Sequence, residues 1–173
     1  MEGLRHEKEL DHWVLWEDRE VRVVIQAKTN FPAEYGGHIV VEQKLEVKVP
    51  YGNYDLFSKM SIIAAIVQKE LEEIGLAPHA NIQSNANWAF RNSDGSLRSI
   101  KEGQAARGLH IHVYGRRPED PGWAEPIRPA CFQEQKAGKY WGKVFSEEQM
   151  RKLSELLQKE IPRALKIKKE SLS

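Results

Sequence analysis

The apolar residues of this chain follow two rhythms, and the switch between them outlines the fold. Trp13-Val14-Leu15-Trp16 and Val21 to Ala27 are short runs rich in β-branched and aromatic residues, separated by the polar stretch Glu17-Asp18-Arg19-Glu20. They read as two strands joined by a turn. Thr29 to Gly37 carries Pro32 and the pair Gly36-Gly37 and reads as a loop. A longer strand is expected from His38 to Val49. It opens on Ile39-Val40-Val41 and then alternates Leu45, Val47 and Val49 with Glu46 and Lys48. Between Asp55 and Ile74 the period changes to that of a helix. Leu56, Met60, Ile63, Ala64, Val67, Leu71 and Ile74 recur on one face, Asp55 is the expected N-cap, and Gly75 and Pro78 stop the helix.

Beyond the helix, Ala80 to Asn85 and Leu109 to Tyr114 return to strand character. The polar segment between them, Asn87 to Glu102, holds a turn signal at Asn92-Ser93-Asp94-Gly95. Arg117 to Lys143 is rich in Pro and Gly and reads as irregular, although it contains Trp123, Tyr140 and Trp141. A last helix opens on the capping box Ser146-Glu147-Glu148-Gln149, runs through Met150, Leu153, Leu157 and Ile161, and is expected to fade at Pro162. Strands in meander order around one long helix predict an α+β domain. Its antiparallel sheet has about five strands and is covered by the long helix and the C-terminal one.

Bulk properties narrow the setting. A chain of 173 residues suits one domain, residues 1–173, with its core expected at about 13–116 and a C-terminal extension beyond. A formal net charge of +1 gives no global field that argues for nucleic acid or an anionic membrane. Cys131 stands alone, which leaves no disulfide framework and no cysteine-based metal cage. The segment Met1 to Asp11 is charged throughout, and the longest apolar run, Ile62 to Val67, is too short to span a bilayer. These features predict a cytoplasmic protein.

The chemistry concentrates in Gly103-Gln104-Ala105-Ala106-Arg107-Gly108-Leu109-His110-Ile111-His112-Val113-Tyr114-Gly115-Arg116. Residues two apart on a strand share a face, so His110 and His112 project together while Leu109, Ile111 and Val113 point into the core. Two imidazoles crowded on one face suit a phosphate-handling pair, or two ligands of a metal such as zinc, iron or manganese. They also suit two satisfied histidines without function. Spacing alone does not choose among the three.

The neighbouring residues add information. Gly103-Gln104 followed after three residues by Gly108-Leu-His110-Ile-His112-Val-Tyr-Gly-Arg116 resembles the signature of the histidine triad (HIT) superfamily, in which Gly-Gln precedes a His-φ-His-φ-His-φ-φ strand closed by Pro-Arg or Gly-Arg. Upstream, Asn30-Phe31-Pro32 and Gly36-Gly37-His38-Ile39-Val40-Val41 followed by Gln43-Lys44 are similar to that family's polar residue, proline-bearing loop and strand. The resemblance spans roughly residues 13–116, and it departs from the family at one point. In this alignment Gly108 stands where the first triad histidine belongs, His110 takes the central position and His112 the third. Sliding the alignment to make His112 central and Tyr114 third breaks both the Gly-Gln spacing and the Gly-Arg end.

The resemblance implies a role for each residue. His110 would attack an α-phosphorus and form a nucleotidyl-histidine, its other ring nitrogen held by an acceptor that fixes the tautomer. His112 would donate to a non-bridging oxygen as charge builds there. Gln104 would bind phosphate or leaving group, Asn30 the ribose hydroxyls, and Asn85 the phosphates, with Asn87 as its substitute. Ala105 replaces a residue that is often Ser or Thr, removing a phosphate contact. Arg98 and Lys101, in a loop that also holds Trp88, Phe90 and Arg91, would fold over the phosphates where Gly108 leaves a cation missing; the same loop also reads as a solvated insertion. The implied partner is a nucleotide substrate, with no cofactor and no metal, and the implied assembly is a homodimer. Ile62, Ala65 and Ile66 extend the apolar surface of the long helix, which suits such a pairing. The competing readings are a non-catalytic nucleotide-binding module and a metal-dependent His-x-His enzyme. Of the remaining histidines, His6, His12 and His79 read as solvated and His38 as structural. Cys131 reads as passive, and Lys166, Lys168 and Lys169 as a solvated tail.

Overall fold

A computed structural model describes residues 3–8, 11–26, 31–44, 54–84, 109–120 and 144–171. In chain order the elements are β1 (Arg5–Glu7), β2 (His12–Glu17), β3 (Val21–Gln26), a 3-10 turn (Ala33–Tyr35), β4 (His38–Gln43), α1 (Tyr54–Glu73), β5 (His79–Gln83), β6 (His110–Arg116) and α2 (Glu147–Ser171). The strands form one sheet in the order β1-β2-β3-β4-β6-β5, every neighbouring pair antiparallel. The α+β architecture and the two covering helices match the pattern read from the sequence. About five strands were expected and six are present among the described residues. The addition is β1, from an N-terminal segment too short and too charged to show alternation.

Alternation divides the sheet into two faces. Ile25, Ile39, Val41, Ile111 and Val113 join Met60, Ile63, Val67 and Leu71 of α1 and Met150, Leu153, Leu157 and Ile161 of α2 in one buried cluster. The opposite face carries His110, His112 and a small separate apolar cluster of Val14, Val24 and Val40. Strand β2 would lose this separation if it were regular, because Leu15 and Trp16 are consecutive yet both belong to the helix-side core. A register shift between Val14 and Trp16 removes Leu15 from the ladder and resolves the conflict. The Leu15 carbonyl then accepts hydrogen bonds from Ser154 Oγ at 2.6 Å and Gln158 Nε2 at 3.2 Å. The bulge is therefore also the dock for α2.

The observed helix boundaries correct two details and bear out two others. Asp55 is not the N-cap of α1 but lies within its first turn, where a carboxylate still favours the positive helix end. Gly75 ends the helix as expected, with φ of 71° and the Leu76 amide bonded back to the Leu71 carbonyl. The capping box of α2 forms in both directions, Gln149 N to Ser146 Oγ at 3.2 Å and Ser146 N to Gln149 Oε1 at 2.8 Å. The helix does not fade near residue 161 but continues past Pro162 to Ser171. Pro162 is exposed, so the backbone acceptor it leaves without an amide lies near solvent. Leu157, Ile161 and the partly buried Leu165 keep one apolar stripe in contact with the core, and this packing outweighs the local cost. The strand expected over 38–49 is observed to Gln43; its remaining half lies outside the described residues. Among the described residues no helix is long and apolar enough to cross a membrane.

Candidate functional site

Strand β6 is fixed at both ends. At its start, Gln43 N donates to the Leu109 carbonyl at 2.8 Å, and the buried Gln43 side chain accepts from the Leu109 amide at 3.3 Å. At its end, Gly115 N donates to the Gly37 carbonyl at 2.9 Å. Here the backbones of Gly36 and Gly115 pass so closely that a Cβ on Gly115 would lie 2.0 Å from the Gly36 carbonyl oxygen. Gly36 itself has φ of 120°, a conformation that glycine adopts at low cost. The glycines of the loop and of the Gly-Arg end are thus two halves of one backbone crossing. That crossing sets the register of β4 against β6 and with it the positions of the histidines.

In that register Glu42 lies opposite His110, Val40 opposite His112 and His38 opposite Tyr114, while Gln83 of β5 flanks His112 from the other side. His110 and His112 share the face as expected, with ring centroids 5.0 Å apart and planes perpendicular. Both are buried, at 6% exposure. The unexpected member is His38, read from sequence as structural. Its Nε2 lies 2.9 Å from His112 Nδ1, a hydrogen bond that fixes which nitrogen of His112 is turned away from His38. Burial, followed by the His112 and His110 imidazoles, holds His38 well below the usual histidine range, so it is the neutral partner. His38 Nδ1 has no hydrogen-bond partner among the described residues.

Tyr114 is fully buried and lies nearly parallel to both rings of this pair. It is 4.3 Å from His38 at 13° and 5.6 Å from His112 at 18°. Phe31 meets its edge at 6.2 Å.

A network of ion pairs extends from Glu42 toward the β1 edge. Arg22 Nε donates to Glu42 at 2.6 Å and Arg22 Nη1 to Glu7 at 3.3 Å. Arg5 bonds Glu7 and Glu17 at 2.8 and 2.7 Å, and Lys44 reaches Glu17 at 3.2 Å. His12, expected in solvent, is instead buried within this network, 2.9 Å from Glu7. Burial first, and then the positive charge of Arg22, push His12 down. Burial alone would raise Glu7, but hydrogen bonds from Arg5 and His12 outweigh it and keep the carboxylate ionised. At the far end of β6, Arg116 is buried and donates from Nε and Nη2 to Asp120, both at 3.1 Å.

Among the described residues no group of three or more His, Cys, Asp or Glu side chains could hold a metal ion. The other expected site residues, Asn30, Asn85, Arg98, Lys101 and Gln104, lie outside the described residues, as do Asn87, Ala105 and the glycine at the first triad position, Gly108. His6 and His79 are exposed at the surface, as read from the sequence.

No protein-family model matches the chain, and no curated protein matches it. Solved structures do. A histidine triad protein from Marinobacter aquaeolei VT8 is 17% identical, aligns over 91% of this chain and 98% of its own, and gives a TM-score of 0.53. A histidine triad protein from Bradyrhizobium japonicum is 14% identical over 92% and 99%, with the same TM-score of 0.53. At this identity the likeness concerns the fold, and it agrees with the signature that the glycines and histidines of β4 and β6 had suggested: the chain has a histidine-triad-like fold.

Proposed function

We infer that the protein binds nucleotide phosphates at the histidine-bearing face of β6 and catalyses hydrolysis or transfer at an α-phosphate through a covalent nucleotidyl-histidine at His110. The observation that carries this reading is the placement of His110 and His112 together on one face, with His112 oriented by a second, neutral imidazole. A nucleophilic nitrogen needs its lone pair free and its ring anchored. A donor to phosphate needs the opposite tautomer arrangement, with its inner nitrogen accepting, and the His38 contact provides that for His112. In the first step His110 forms a bond to phosphorus, and the bond from phosphorus to the leaving group breaks as that group takes up a proton. In the second step water or another acceptor attacks phosphorus and displaces His110. His112 stabilises the charge on the phosphate oxygens in both steps.

Asn30, Asn85 and Gln104 are assigned to ribose and phosphates, and Arg98 and Lys101 to the space beside Gly108. The substrate class is a nucleotide conjugate: a dinucleoside polyphosphate, a nucleoside phosphoramidate or an adenylated small molecule. No cofactor is invoked, and a cytoplasmic setting suits such substrates. The proposed assembly is a homodimer. Among the described residues β5 is an edge of the sheet on which Ile82 exposes a large apolar side chain, and Tyr54 and Phe57 do so in the first turn of α1. Light scattering is expected to give twice the chain mass of 19.9 kDa at micromolar concentration, and a mass near 20 kDa would count against the dimer.

The decisive experiment is a turnover screen of nucleotide conjugates for release of a nucleoside monophosphate, repeated with His110→Ala and His112→Ala. His110→Ala is expected to abolish turnover while leaving nucleotide affinity within about tenfold, because a nucleophile contributes to the transition state more than to the ground state. Survival of His110→Ala beside a dead His112→Ala would transfer the nucleophile to His112. Binding without any turnover in the parent protein would leave a nucleotide-binding module.

A further inference from the structure

We propose that Arg22 is a positioning residue of the site: it holds the Glu42 carboxylate away from His110 and so lets an anion approach that histidine. Glu17, Arg22, Glu42 and His110 stand in one row across β2, β3, β4 and β6, each opposite the next in the sheet register. The neighbouring pair, Gln43 and Leu109, is joined by a ladder hydrogen bond of 2.8 Å, so Glu42 and His110 form the non-hydrogen-bonded pair that follows it. Side chains of such a pair leave one face of the sheet with Cβ atoms roughly 4.5–5.5 Å apart. A glutamate in that place can lay its carboxylate against the imidazole of β6 or swing it to the strand on the other side.

Three observations show that it takes the second course. Arg22 Nε donates to the Glu42 carboxylate at 2.6 Å, a short charge-assisted bond between side chains only 14% and 24% exposed. Arg22 is itself anchored on its far side, Nη1 donating to Glu7 at 3.3 Å, and Glu7 is bonded in turn to Arg5 and His12. The charge of Glu42 is felt at His12 of β2, where it opposes the lowering caused by burial first and by Arg22 second. The carboxylate therefore leans toward β3 and β2, away from β6. The chemistry of the site gives this arrangement a purpose. A carboxylate released against His110 would stabilise the imidazolium, removing the lone pair that a nucleophile needs, and would repel an approaching phosphate. The other described imidazoles acting on this face are His112, whose ring meets that of His110, and His38, and both remain in place in the variants below. The consequence for phosphate rests on the nucleotide reading given above; the consequence for the His110 ring does not.

The test is a double-substitution cycle read by the NMR titration of the His110 ring in the ligand-free protein, assigned with His110→Gln, and by AMP binding. Arg22→Met is expected to raise the His110 titration by roughly half to one pH unit. The same variant is expected to weaken AMP binding about tenfold, through repulsion by the freed carboxylate. Adding Glu42→Gln to Arg22→Met is expected to reverse both effects. If Arg22 served only to hold β1 to the sheet, both variants would lose thermal stability while the His110 titration stayed at the parent value, and the proposal would be overturned. Equal shifts in the single and double variants would overturn it as well, because Glu42 would then not be their source. If Arg22→Met does not fold, Arg22→Gln takes its place, keeping a donor for Glu7 and Glu42 but not the charge, and the same results decide. Failure of the nucleotide reading would appear instead as absent AMP binding by the parent, with the His110 titration still moving as stated.

Discussion

His38 couples the candidate site to the stability of the fold, and the coupling can be worked through. The ring is 2% exposed, its Nε2 is bonded to His112, and burial with the adjacent imidazoles keeps it neutral in the folded protein. In the unfolded chain the same residue titrates near about 6.5. Its folded-state pKa is the lower of the two, so the unfolded chain binds a proton that the folded one refuses. The stabilising contribution is complete above pH 6.5 and is lost as pH falls below it, at about 1.4 kcal/mol per pH unit for one proton. Integrated from pH 7 to pH 5, the loss from His38 is about 2 kcal/mol. His12 is shifted in the same direction and adds to the parent curve over the same window. Glu7 and Asp18 are held below the ordinary carboxylate values of 4.5 and 3.8, so their contributions fade only at more acid pH. The informative quantity is therefore the difference between the parent and His38→Gln, which retains a polar group of similar reach but cannot titrate. Urea denaturation at both pH values is expected to show the parent losing about 2 kcal/mol more than the variant between pH 7 and pH 5. Equal losses would mean that His38 is protonated in the folded state, and the orientation argued for His112 would go with it.

Two further substitutions test how the sheet presents β6. Gly115→Ala places a Cβ 2.0 Å from a backbone oxygen that cannot move aside, and is expected to cost about 3 kcal/mol or more and to lower the thermal midpoint accordingly. An unchanged midpoint would refute the Gly36–Gly115 crossing. Ser154→Ala removes the 2.6 Å bond to the Leu15 carbonyl at the bulge and is expected to cost about 1–2 kcal/mol in urea denaturation; no loss would show that Gln158 alone holds the bulge.

The parts of the fold legible in the sequence are those where one physical rule acted alone. The stripe from Leu56 to Leu71 has a single period, and α1 lies where that period puts it. The Ser146–Gln149 box depends only on residues three apart, and both of its hydrogen bonds form. Strand β1 has three residues, and is held by Arg5–Glu17 and Glu7–His12 contacts to β2. Nothing local marks it, because its partners supply the stabilisation. Pro162 is the reverse case, a strong local stop signal overruled by an apolar stripe that continues on its far side.

The site divides along the same line. Period-two alternation was enough to put His110 and His112 on one face, because both belong to one strand. The contact of His38 with His112 spans 74 positions and is diagonal, since His38 lies opposite Tyr114 and reaches the histidine two residues before it. It follows only once β4 and β6 pair in a definite register, and the glycine crossing that sets this register is itself a meeting of residues far apart in the chain. His12 was misread for the same reason: a histidine among polar neighbours appears solvated until β1 and Arg22 enclose it. A buried imidazole must find a partner or lose its charge, so where burial arises from long-range pairing, so does the chemistry. The histidines most affected by the fold were for that reason the ones their sequence neighbours described least well.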